Sequence, residues 1–539
     1  MAGRVEVLVA GSGAAGLTAA LVCAANGRRT LVCDASADLG GTSALSGGRV
    51  WVPGNHFQRQ PRADRQAAAG YLAGIFDPGQ RRMSDAFLDA APAMVRFVEG
   101  HTAHRFAPCP DYPDYHPHRP GATLGGRCLD ARPLSLDGLH PLVDRVLMPH
   151  GYLPMTHAEW AAWRFPPRFD WDLLGRRAAE RVVTSGVALV CALLDGVLRA
   201  GGQIAAGHRL VDLSASGHGG FRGTLALADG GRGTVDAGTV VLATGGYDQD
   251  PARRRRYLPA AVAASGSAPS NVGDALDICA RLGAPLTNLG QGWWMPMLAG
   301  EETDGVPAYR ALIRERGAPR QIVVDRSGYR FVDEAVPYHE FCKAMHETDS
   351  AEAYLILDEG YRRRYALPGV APDQPVPGWV ATAASPAGLA TVLGVHPAGL
   401  ADQVRHWNAA CARGVDDQFG RGANAYDRYY GDPSLAGNPN LGPLDEPPYY
   451  GMRVLAGTIG SKGGPVTDAD GRVLDAAHRP IPGLFAVGNA AASWTADGYP
   501  GPGATLGIGM AMAFRAGRAI AAGAPALVPA RTSTPQHVD

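Results

Sequence analysis

The N-terminal region contains the pattern that most restricts how this chain can fold. Residues 5–10 are mostly apolar and predict a strand buried in a parallel sheet. The glycine-rich segment 11–16 (GSGAAG) follows at once, then a predicted helix over 17–25 and a second strand, 30–33, that ends in Asp34. This order is typical of a dinucleotide-binding unit, because the glycines let the backbone approach a pyrophosphate and the acid accepts hydrogen bonds from ribose hydroxyls.

Length and composition narrow the class of protein further. With 539 residues, of which 46% are hydrophobic, the chain is long enough for two packed domains with large cores. A net charge of −1 gives no electrostatic footprint for nucleic acid. No segment reaches the ~18–20 uninterrupted apolar residues of a membrane span, and the immediate entry into a strand predicts that there is no signal peptide.

The cysteines and histidines show no metal-binding pattern. The eight cysteines are scattered and include no Cys-x-x-Cys, which favours reduced thiols and a cytoplasmic location. Two histidine pairs between residues 101 and 118 have no matching cluster of Cys, His or carboxylates, so we expect no metal site.

The rest of the chain continues the α/β alternation and then departs from it. Strands are predicted at 204–206, 210–213 and 238–246, the last ending in a glycine turn where the backbone approaches the nucleotide again. Residues 290–444 differ in character, and we interpret them as an inserted lobe. The predicted division is 1–289 for the first part of the nucleotide-binding domain (helical and loop-rich over 57–170), 290–444 for a substrate-binding and catalytic domain, 445–523 for the return of the nucleotide-binding domain, and 524–539 for a disordered tail.

Tyr499-Pro-Gly-Pro-Gly503 is a second segment with strong structural consequences. Proline fixes φ and glycine allows the backbone to approach a ligand, so these five residues predict a tight, pre-shaped turn. The turn holds a phenol close to a backbone N–H at the start of a predicted helix that runs to about residue 522. A hydroxyl and a backbone donor near a helix start are what an oxyanion requires.

Three further segments carry a family resemblance. They are Gly40-Gly-Thr-Ser-Ala-Leu-Ser-Gly-Gly48, Gly464-Pro-Val-Thr-Asp468 and Pro482-Gly-Leu-Phe-Ala-Val-Gly-Asn489. With the N-terminal unit they resemble the fumarate reductase/succinate dehydrogenase flavoprotein superfamily over nearly the whole chain. The resemblance implies FAD as the cofactor. It also implies an α/β fold, in which a Rossmann-like FAD-binding domain carries an inserted α+β substrate-binding and catalytic domain.

We expect the FAD to be bound non-covalently, because no histidine lies between Asp34 and Asn55. The N-terminal motif and the resemblance together predict which residues contact it. The predicted FAD-binding residues are Gly11, Gly13, Ala14, Ala15, Gly16, Asp34, Gly41, Thr42, Ser43, Ser46, Gly47, Gly48, Ala243, Thr244, Gly245, Gly488, Asn489, Thr505 and Leu506.

Within that superfamily the chain is most similar to the 3-ketosteroid Δ1-dehydrogenases. The similarity lies in Asp114-Tyr115-His116, in Asp333-Glu334-Ala-Val-Pro-Tyr338 and in the unchanged Tyr499-Pro-Gly-Pro-Gly503. It implies that the Tyr499 hydroxyl and the Gly503 N–H stabilise negative charge on a substrate carbonyl oxygen. It also implies that Tyr338 takes the α-proton, that Tyr115 assists Tyr338, and that the flavin accepts hydride from the β-carbon.

The implied reaction introduces a carbon–carbon double bond α,β to a ring ketone, with a 3-ketosteroid as the first expectation. Three residues depart from the steroid enzymes: His116 replaces a second tyrosine, and Asp497-Gly498 stand where an arginine and a bulky residue are usual. A smaller cyclic ketone, of the 4-oxocyclohexanecarboxylate type, therefore stays open. His116 is an alternative to Tyr115 as the group that assists the base, and the sequence leaves the electron acceptor unknown.

Two other functions remain open from the sequence. A flavoenzyme of this superfamily can reduce an enone or fumarate, although residues 494–499 lack the histidine and arginine expected for fumarate itself. A flavin-binding redox sensor would have no use for three converging tyrosines. Arg310 and Arg314 are candidates for binding a substrate carboxylate, but we expect them to be ordinary exposed arginines.

Overall fold

The computed structural model describes residues 4–217, 219–303, 306–348, 352–372 and 374–523. The tail 524–539, for which the sequence predicts disorder, lies outside the described residues. The α-helices are α1 Ala14–Ala25, α2 Gly41–Leu45, α3 Pro61–Ala73, α4 Arg81–His101, α5 His157–Trp163, α6 Trp171–Ala179, α7 Ser185–Arg199, α8 Pro251–Tyr257, α9 Asp274–Arg281, α10 Tyr338–His346, α11 Glu359–Tyr365, α12 Pro386–Leu393, α13 Pro397–Arg413, α14 Ala425–Tyr429 and α15 Ala504–Gly523.

The strands form a mixed α/β fold with two large sheets and three small ones. In chain order the strands are β1 Arg4–Ala10, β2 Thr30–Asp34, β3 Val50–Trp51, β4 Phe106–Pro108, β5 Cys128–Ala131, β6 Leu134–Ser135, β7 Val182–Val183, β8 Gln203–Ala206, β9 His208–Ala215, β10 Phe221–Leu227, β11 Arg232–Leu242, β12 Ala264–Ser265, β13 Leu286–Thr287, β14 Gly292–Thr303, β15 Val306–Ala311, β16 Gln321–Val324, β17 Glu352–Asp358, β18 Ala381–Ala383, β19 Tyr449–Ser461, β20 Gly464–Pro465, β21 Arg472–Leu474 and β22 Pro480–Ala486.

The first large sheet has the order β21-β22-β11-β1-β2-β8, and β10 pairs with β11 and β9. Strand β1 lies between β11 and β2 and is parallel to both. All five residues of β2 are buried, as a near-continuous apolar run in a parallel sheet requires. The strands predicted from 5–10, 30–33, 204–206 and 210–213 all lie here. The strand predicted over 238–246 already ends at Leu242, because the chain turns from Ala243 onward.

Helix α1 starts directly after the glycine turn and packs with α15, α7 and α4 in the largest apolar core. Its residues 16–24 are all buried, which explains the small and apolar composition of this helix. Helix α15 follows Gly503 and runs to Gly523, in agreement with the predicted final helix. None of the helices in the described segments combines the length and apolar character that crossing a bilayer requires.

The second large sheet has the order β15-β14-β19-β17-β16, with β12 and β18 also paired to β19. Its longest strand, β19, pairs with β14 on one side and with β17 on the other. Strand β19 spans Tyr449–Ser461 and β12 spans Ala264–Ser265, so the sheet extends beyond the predicted limits of 290–444 at both ends. The local composition around β12 and β19 does not mark the points at which the chain passes from one large sheet to the other.

Candidate active site

One cavity of about 520 Å³ lies along the carboxyl ends of the strands in the first sheet and reaches the second sheet. Residues that follow β1, β2, β11 and β22 line one part of it, and Met295 and Met297 of β14 and Ile459 of β19 line another. The carboxyl edge of a parallel sheet is where ligands bind in open α/β folds. The cavity therefore has a nucleotide-type site and a second site against the other sheet.

The glycine turn is shaped by close backbone contacts. Gly11 has φ +111°, and a Cβ at this position would lie 2.2 Å from the carbonyl oxygen of Ala243. Asp34 is buried, and one of its carboxylate oxygens accepts hydrogen bonds from the Ser12 backbone N–H (2.8 Å) and the Ser12 hydroxyl (2.6 Å). The turn and the end of β2 are thus held together at the N-terminus of α1, where backbone donors favour a pyrophosphate.

Nearly all predicted FAD-binding residues line this cavity, but Ala14 and Gly16 do not. Ala14 is fully buried, and its backbone N–H donates to the Ser43 hydroxyl (3.0 Å). A Cβ on Gly16 would lie 2.0 Å from the carbonyl oxygen of Gly11, so Gly16 lets the helix pack on the turn. Ala14 and Gly16 therefore support the glycine turn from outside the cavity.

The lining residues fit FAD. The Thr244 hydroxyl oxygen is buried, lines the cavity and has no hydrogen-bond partner among the described residues. It offers a polar contact in a wall that glycine backbone otherwise dominates. The donors of the glycine turn, the Asp34 carboxylate and the residues of the flavin loop (residues 40–48) complete a long site with a polar and an aromatic end.

Three predicted tyrosines meet at the aromatic end. The Tyr338 hydroxyl donates to the Tyr499 hydroxyl at 3.0 Å, although the two residues are 161 positions apart. The Tyr115 ring lies edge-on to both, with centroids 5.5 Å from Tyr338 and 5.0 Å from Tyr499. All three rings are buried and line the cavity.

Tyr499 accepts a second hydrogen bond, from the Thr505 hydroxyl at 2.8 Å. Thr505, predicted to contact FAD, therefore also contacts a predicted catalytic tyrosine. Because the Tyr499 oxygen accepts from both Tyr338 and Thr505, its own proton is free to point at a ligand. Two accepted bonds also make a phenol a stronger acid, and therefore a stronger donor to a developing oxyanion.

Burial controls the acidity of these phenols. It raises the pKa of Tyr499, while the hydrogen bonds from Thr505 and Tyr338 act against that rise. Burial and then the neighbouring Tyr499 raise the pKa of Tyr338 well above its ordinary value, whereas a hydrogen bond with Tyr115 acts in the opposite direction. Tyr338 is therefore a neutral phenol at neutral pH, and Tyr115 is the neighbour that makes its ionisation easier.

Gly503 brings a backbone donor to the same place. Its φ is +87°, and a Cβ there would lie 2.7 Å from the backbone carbonyl of Arg49. Within the described residues nothing accepts a hydrogen bond from the Gly503 N–H, and Gly503 lines the cavity. The N–H also stands at the first turn of α15, which favours negative charge.

Backbone hydrogen bonds tie the segment of Tyr115 to the Tyr499–Gly503 turn. The Pro500 carbonyl accepts from the Tyr115 backbone N–H (3.1 Å) and from the Tyr71 hydroxyl (2.6 Å). Asp114, also buried, accepts from the Trp51 indole (2.7 Å) and from Arg127 (2.6 Å). Each residue of this segment is thus fixed by a partner far away in sequence.

A buried network of ion pairs, formed by residues that precede α10 in the chain and by Asp416, positions Tyr338. Arg330 makes paired hydrogen bonds to Glu334 (2.7 Å each) and to Asp416 (3.0 and 2.9 Å), with all three side chains fully buried. Glu334 also accepts from the Val323 backbone N–H (3.0 Å). A buried network that is satisfied in this way fixes geometry, and here it fixes the start of the helix that carries Tyr338.

Sequence reasoning missed two residues that hold the loop before Tyr499. Lys462 is fully buried and donates to the carbonyls of Ala496 (2.8 Å) and Gly498 (2.7 Å), and burial lowers its pKa well below the ordinary value. His339 accepts from the Trp294 backbone N–H (3.2 Å) and donates to the Asp497 carbonyl (2.8 Å). A lysine in a chain with only two lysines is the one signal that the sequence offered.

The residues that depart from the steroid enzymes lie beside the cavity rather than in it. His116 does not line it, and burial lowers the pKa of its imidazole to about 4. Asp497 is largely exposed and pairs with Lys343 at 2.9 Å. Arg310 is exposed, as expected, and lines the cavity mouth, whereas Arg314 lies over the Trp160 ring at 3.9 Å. Tyr115, and not His116, is therefore the residue in contact with Tyr338.

Comparison with known proteins agrees with this geometry. The model of the FAD binding domain family matches residues 6–506. The chain belongs to this family. FAD is accordingly its cofactor, and the chain is a flavoprotein oxidoreductase.

Three relatives are similar over nearly their whole length. The 4-oxocyclohexanecarboxylate 2-dehydrogenase of Sinomonas cyclohexanicum is 37% identical, over 96% of this chain and 92% of the relative. The 3-oxosteroid 1-dehydrogenase of Mycobacterium tuberculosis is 33% identical, over 96% of this chain and 98% of the relative. The crystal structure of 3-ketosteroid Δ1-dehydrogenase from Sterolibacterium denitrificans, in complex with 1,4-androstadiene-3,17-dione, matches with a TM-score of 0.89 and 33% identity, covering 96% of this chain and 99% of that one. The predicted resemblance to the 3-ketosteroid Δ1-dehydrogenases is confirmed.

Proposed function

We propose that this flavoprotein oxidises a saturated ring ketone to its α,β-enone. The observation that carries the proposal is the pair of phenols 3.0 Å apart, Tyr338 and Tyr499, in the wall that the flavin loop also lines. Desaturation next to a ketone needs a donor for the carbonyl oxygen, a base for the α-proton and an acceptor for hydride. The first two are side chains and backbone of this chain, and FAD when bound supplies the third.

The carbonyl oxygen of the substrate would accept from the Tyr499 hydroxyl and the Gly503 N–H. Both donors face the cavity, and the Thr505 hydroxyl donates to the Tyr499 oxygen, which leaves the Tyr499 proton available to the substrate. Tyr338 donates to the same oxygen only while it is a neutral phenol. Donors that are fixed before the reaction and point at a developing negative charge are worth most in a dry site. The rings of Tyr115, Tyr338 and Tyr499 are all buried, so the enolate would form away from water.

Tyr338 takes the α-proton as its phenolate. Burial makes this phenolate scarce at neutral pH, and the hydrogen bond with Tyr115 lowers the cost of forming it. The proton that Tyr338 gives up before each turnover must leave for solvent, and Tyr115 can relay it only by accepting that proton while releasing its own. This arrangement gives Tyr115 a role that its ring packing alone would not require.

Two classes of ring ketone are consistent with the relatives. The relative from Sinomonas cyclohexanicum acts by name on a 4-oxocyclohexanecarboxylate, and the relative from Mycobacterium tuberculosis on a 3-oxosteroid. The shared chemistry is abstraction of an α-proton and removal of a β-hydride. A 3-ketosteroid is the first expectation from the sequence resemblance, and a smaller ring ketone is the alternative.

The test is to incubate the protein anaerobically with an artificial electron acceptor and a panel of ketones that runs from cyclohexanones to 3-ketosteroids. Products are then identified by mass. Loss of two hydrogens from a cyclic ketone supports the proposal, and the preferred ring size decides the substrate class. Turnover only of enones with a reduced donor, each product gaining two hydrogens, would instead identify a reductase.

The FAD is proposed to be non-covalent, because the flavin loop contains neither histidine nor cysteine. Acid precipitation should release all of the yellow chromophore into the supernatant. Colour that stays with the pellet would show a covalent bond. We also propose a cytoplasmic location, since all eight cysteines are free thiols.

The domain division is likewise a proposal. A Rossmann-like FAD-binding domain would consist of the first large sheet with α1, α7 and α15, and an α+β substrate-binding domain would be inserted into it. Because β19 pairs within the second sheet, we place the end of the inserted domain near Ser461 instead of residue 444. Limited proteolysis that cuts preferentially between Ser461 and β21 would agree with this boundary.

A further inference from the structure

We propose that Arg49, in the wall of the tyrosine-lined cavity, binds a carboxylate of the ring ketone, with Arg314 as a second positive charge outside the cavity wall. This inference rests on the proposed function, which it makes more specific. Among the described residues neither guanidinium forms an ion pair with a carboxylate, although both arginines are partly buried.

Arg49 lies directly after the flavin loop and lines the cavity. Its guanidinium donates one hydrogen bond, to Nδ1 of His157 at 3.0 Å, and lies 5.9 Å from the centre of the Tyr112 ring. His157 accepts at Nδ1 and donates through Nε2 to the Tyr429 hydroxyl (2.5 Å), so its imidazole is neutral. The partner of Arg49 therefore does not cancel its charge.

Arg314 adds a second positive charge to the same region. Its guanidinium lies 3.9 Å from the centre of the Trp160 ring, and Trp160 stacks on His157 at 5.4 Å. Burial, and after it the charge of Arg49, lower the pKa of Arg314 to about 10. Arg314 is thus still charged at neutral pH, at a cost that an anion bound at Arg49 would reduce.

Two acids lie near the site, and neither forms an ion pair with Arg49 or Arg314, although the charge of Asp130 acts on both arginines. Asp130 accepts from the His157 backbone N–H at 2.6 Å, and its burial raises its pKa. Glu315 pairs with Arg310 at 3.0 Å and accepts from the Arg314 backbone N–H at 3.0 Å. An unpaired charge away from water is costly, and a bidentate carboxylate is the ligand whose geometry a guanidinium matches best.

The backbone places this site next to the oxyanion donors. The Cβ position of Gly503 would touch the carbonyl of Arg49, and the Trp51 backbone N–H donates to the Gly503 carbonyl at 3.1 Å. Arg49 and Gly503 therefore belong to neighbouring chain segments at one end of the cavity. A substrate with a ketone at one side of a six-membered ring and a carboxylate at the other would reach both sites.

The primary experiment compares 4-oxocyclohexanecarboxylate with its neutral carboxamide. We expect the FAD-loaded protein to prefer the acid in kcat/KM by about 10–100-fold, the value of charge-assisted hydrogen bonds. In Arg49→Met the ratio of acid to amide should fall to near one. Arg49→Lys keeps the charge without the planar fork and should retain part of the preference. Arg310→Met is the control, because this arginine is 54% exposed and already paired with Glu315.

A second measurement does not depend on catalysis. Cyclohexanecarboxylate has no ketone, and its binding can be followed by calorimetry with each variant after thermal unfolding has shown that the variant is folded. We expect Kd to rise about 10–100-fold in Arg49→Met and also to rise in Arg314→Met. Binding that depends on Arg49, in a protein that turns over no ketone, would support the anion site and overturn the proposed function.

Three results would overturn the inference while the proposed function stands. The first is equal turnover of acid and amide by the unchanged protein. The second is loss of the preference in Arg310→Met rather than in Arg49→Met. The third is cyclohexanecarboxylate binding no more tightly than its carboxamide.

Discussion

The two ends of the cavity are built in opposite ways. At the nucleotide end, Gly11 to Asp34 form one short continuous unit, which is closed by the Ser12–Asp34 hydrogen bond and packs against the backbone of Ala243. At the substrate end, Tyr115, Tyr338 and Tyr499 come from three distant segments, which are joined only by side-chain and long-range backbone bonds. The first end is therefore sensitive to added atoms, and the second to the removal of single hydroxyl groups.

The largest effect is expected at the nucleotide end. In Gly11→Ala the added Cβ would lie 2.2 Å from the Ala243 carbonyl oxygen, at a φ of +111° that an L-residue rarely adopts. We expect no FAD to be retained through purification, and hence no activity. FAD content is measured by absorbance and by extraction.

Gly27→Ala is the matched control for that change. Gly27 has φ +76° but nothing within 4 Å of its Cβ position, so the substitution adds backbone strain without crowding. It should cost about 1–2 kcal/mol of stability and leave FAD bound. If Gly11→Ala keeps its FAD as well as Gly27→Ala does, the nucleotide end is not limited by close packing.

The sequence predicts the nucleotide end of the cavity better than the substrate end. The strand, turn, helix and strand of residues 5–34 were predicted nearly to their ends, because period, glycines and acid are all local signals. The turn pattern itself marks Tyr499, whereas Tyr115 and Tyr338 follow only from the family resemblance. The 3.0 Å contact between Tyr338 and Tyr499 depends on pairing between segments 161 residues apart, which no local pattern encodes.

The positions that the sequence did not predict are those whose role is long-range. Lys462 and His339 hold the loop before Tyr499 from other elements, and nothing in their neighbours along the chain marks them. The apolar run of strand β19 does not reveal which of the two large sheets it joins, and in the structure it pairs with β14 and β17. Which strands pair, and in which register, depends on tertiary contacts rather than on the local sequence.

At the substrate end, Tyr338→Phe should have the largest effect. It should lower kcat/KM by up to about 10⁴-fold and nearly stop exchange of the substrate's α-hydrogens with deuterated solvent. Since burial raises the pKa of Tyr338 well above its ordinary value, the phenolate fraction grows tenfold per pH unit below that pKa. The unchanged protein should therefore show kcat/KM rising with pH through the neutral and alkaline range.

Tyr338→Phe should show no rise of kcat/KM with pH. A flat profile in the unchanged protein would instead mean that the α-proton leaves without a Tyr338 phenolate, for example by a relay of protons through Tyr499. FAD content should stay normal in both cases. The pH profile therefore reports on the substrate end of the cavity alone.

Tyr499→Phe should be the next in size, with turnover reduced by ~10²–10³-fold, the usual loss for one oxyanion donor. The flavin spectrum should be normal, because Tyr499 is assigned to the substrate. Thr505→Val is the control: it removes one of the two hydrogen bonds that Tyr499 accepts, at 2.8 Å, but leaves the phenol, and should lose less activity. A Tyr499→Phe protein without FAD would contradict the division between the two ends.

The smallest effect is expected for Tyr115→Phe. The hydrogen bond with Tyr115 lowers the pKa of Tyr338, so its removal raises that pKa further. A higher pKa leaves less phenolate at any pH below it, so kcat/KM should fall, but by less than in Tyr499→Phe. The pH profile should keep its slope and move to higher pH, so that the lost activity returns when the pH is raised. A flattened profile, or a loss greater than in Tyr338→Phe, would require the roles of the two tyrosines to be exchanged.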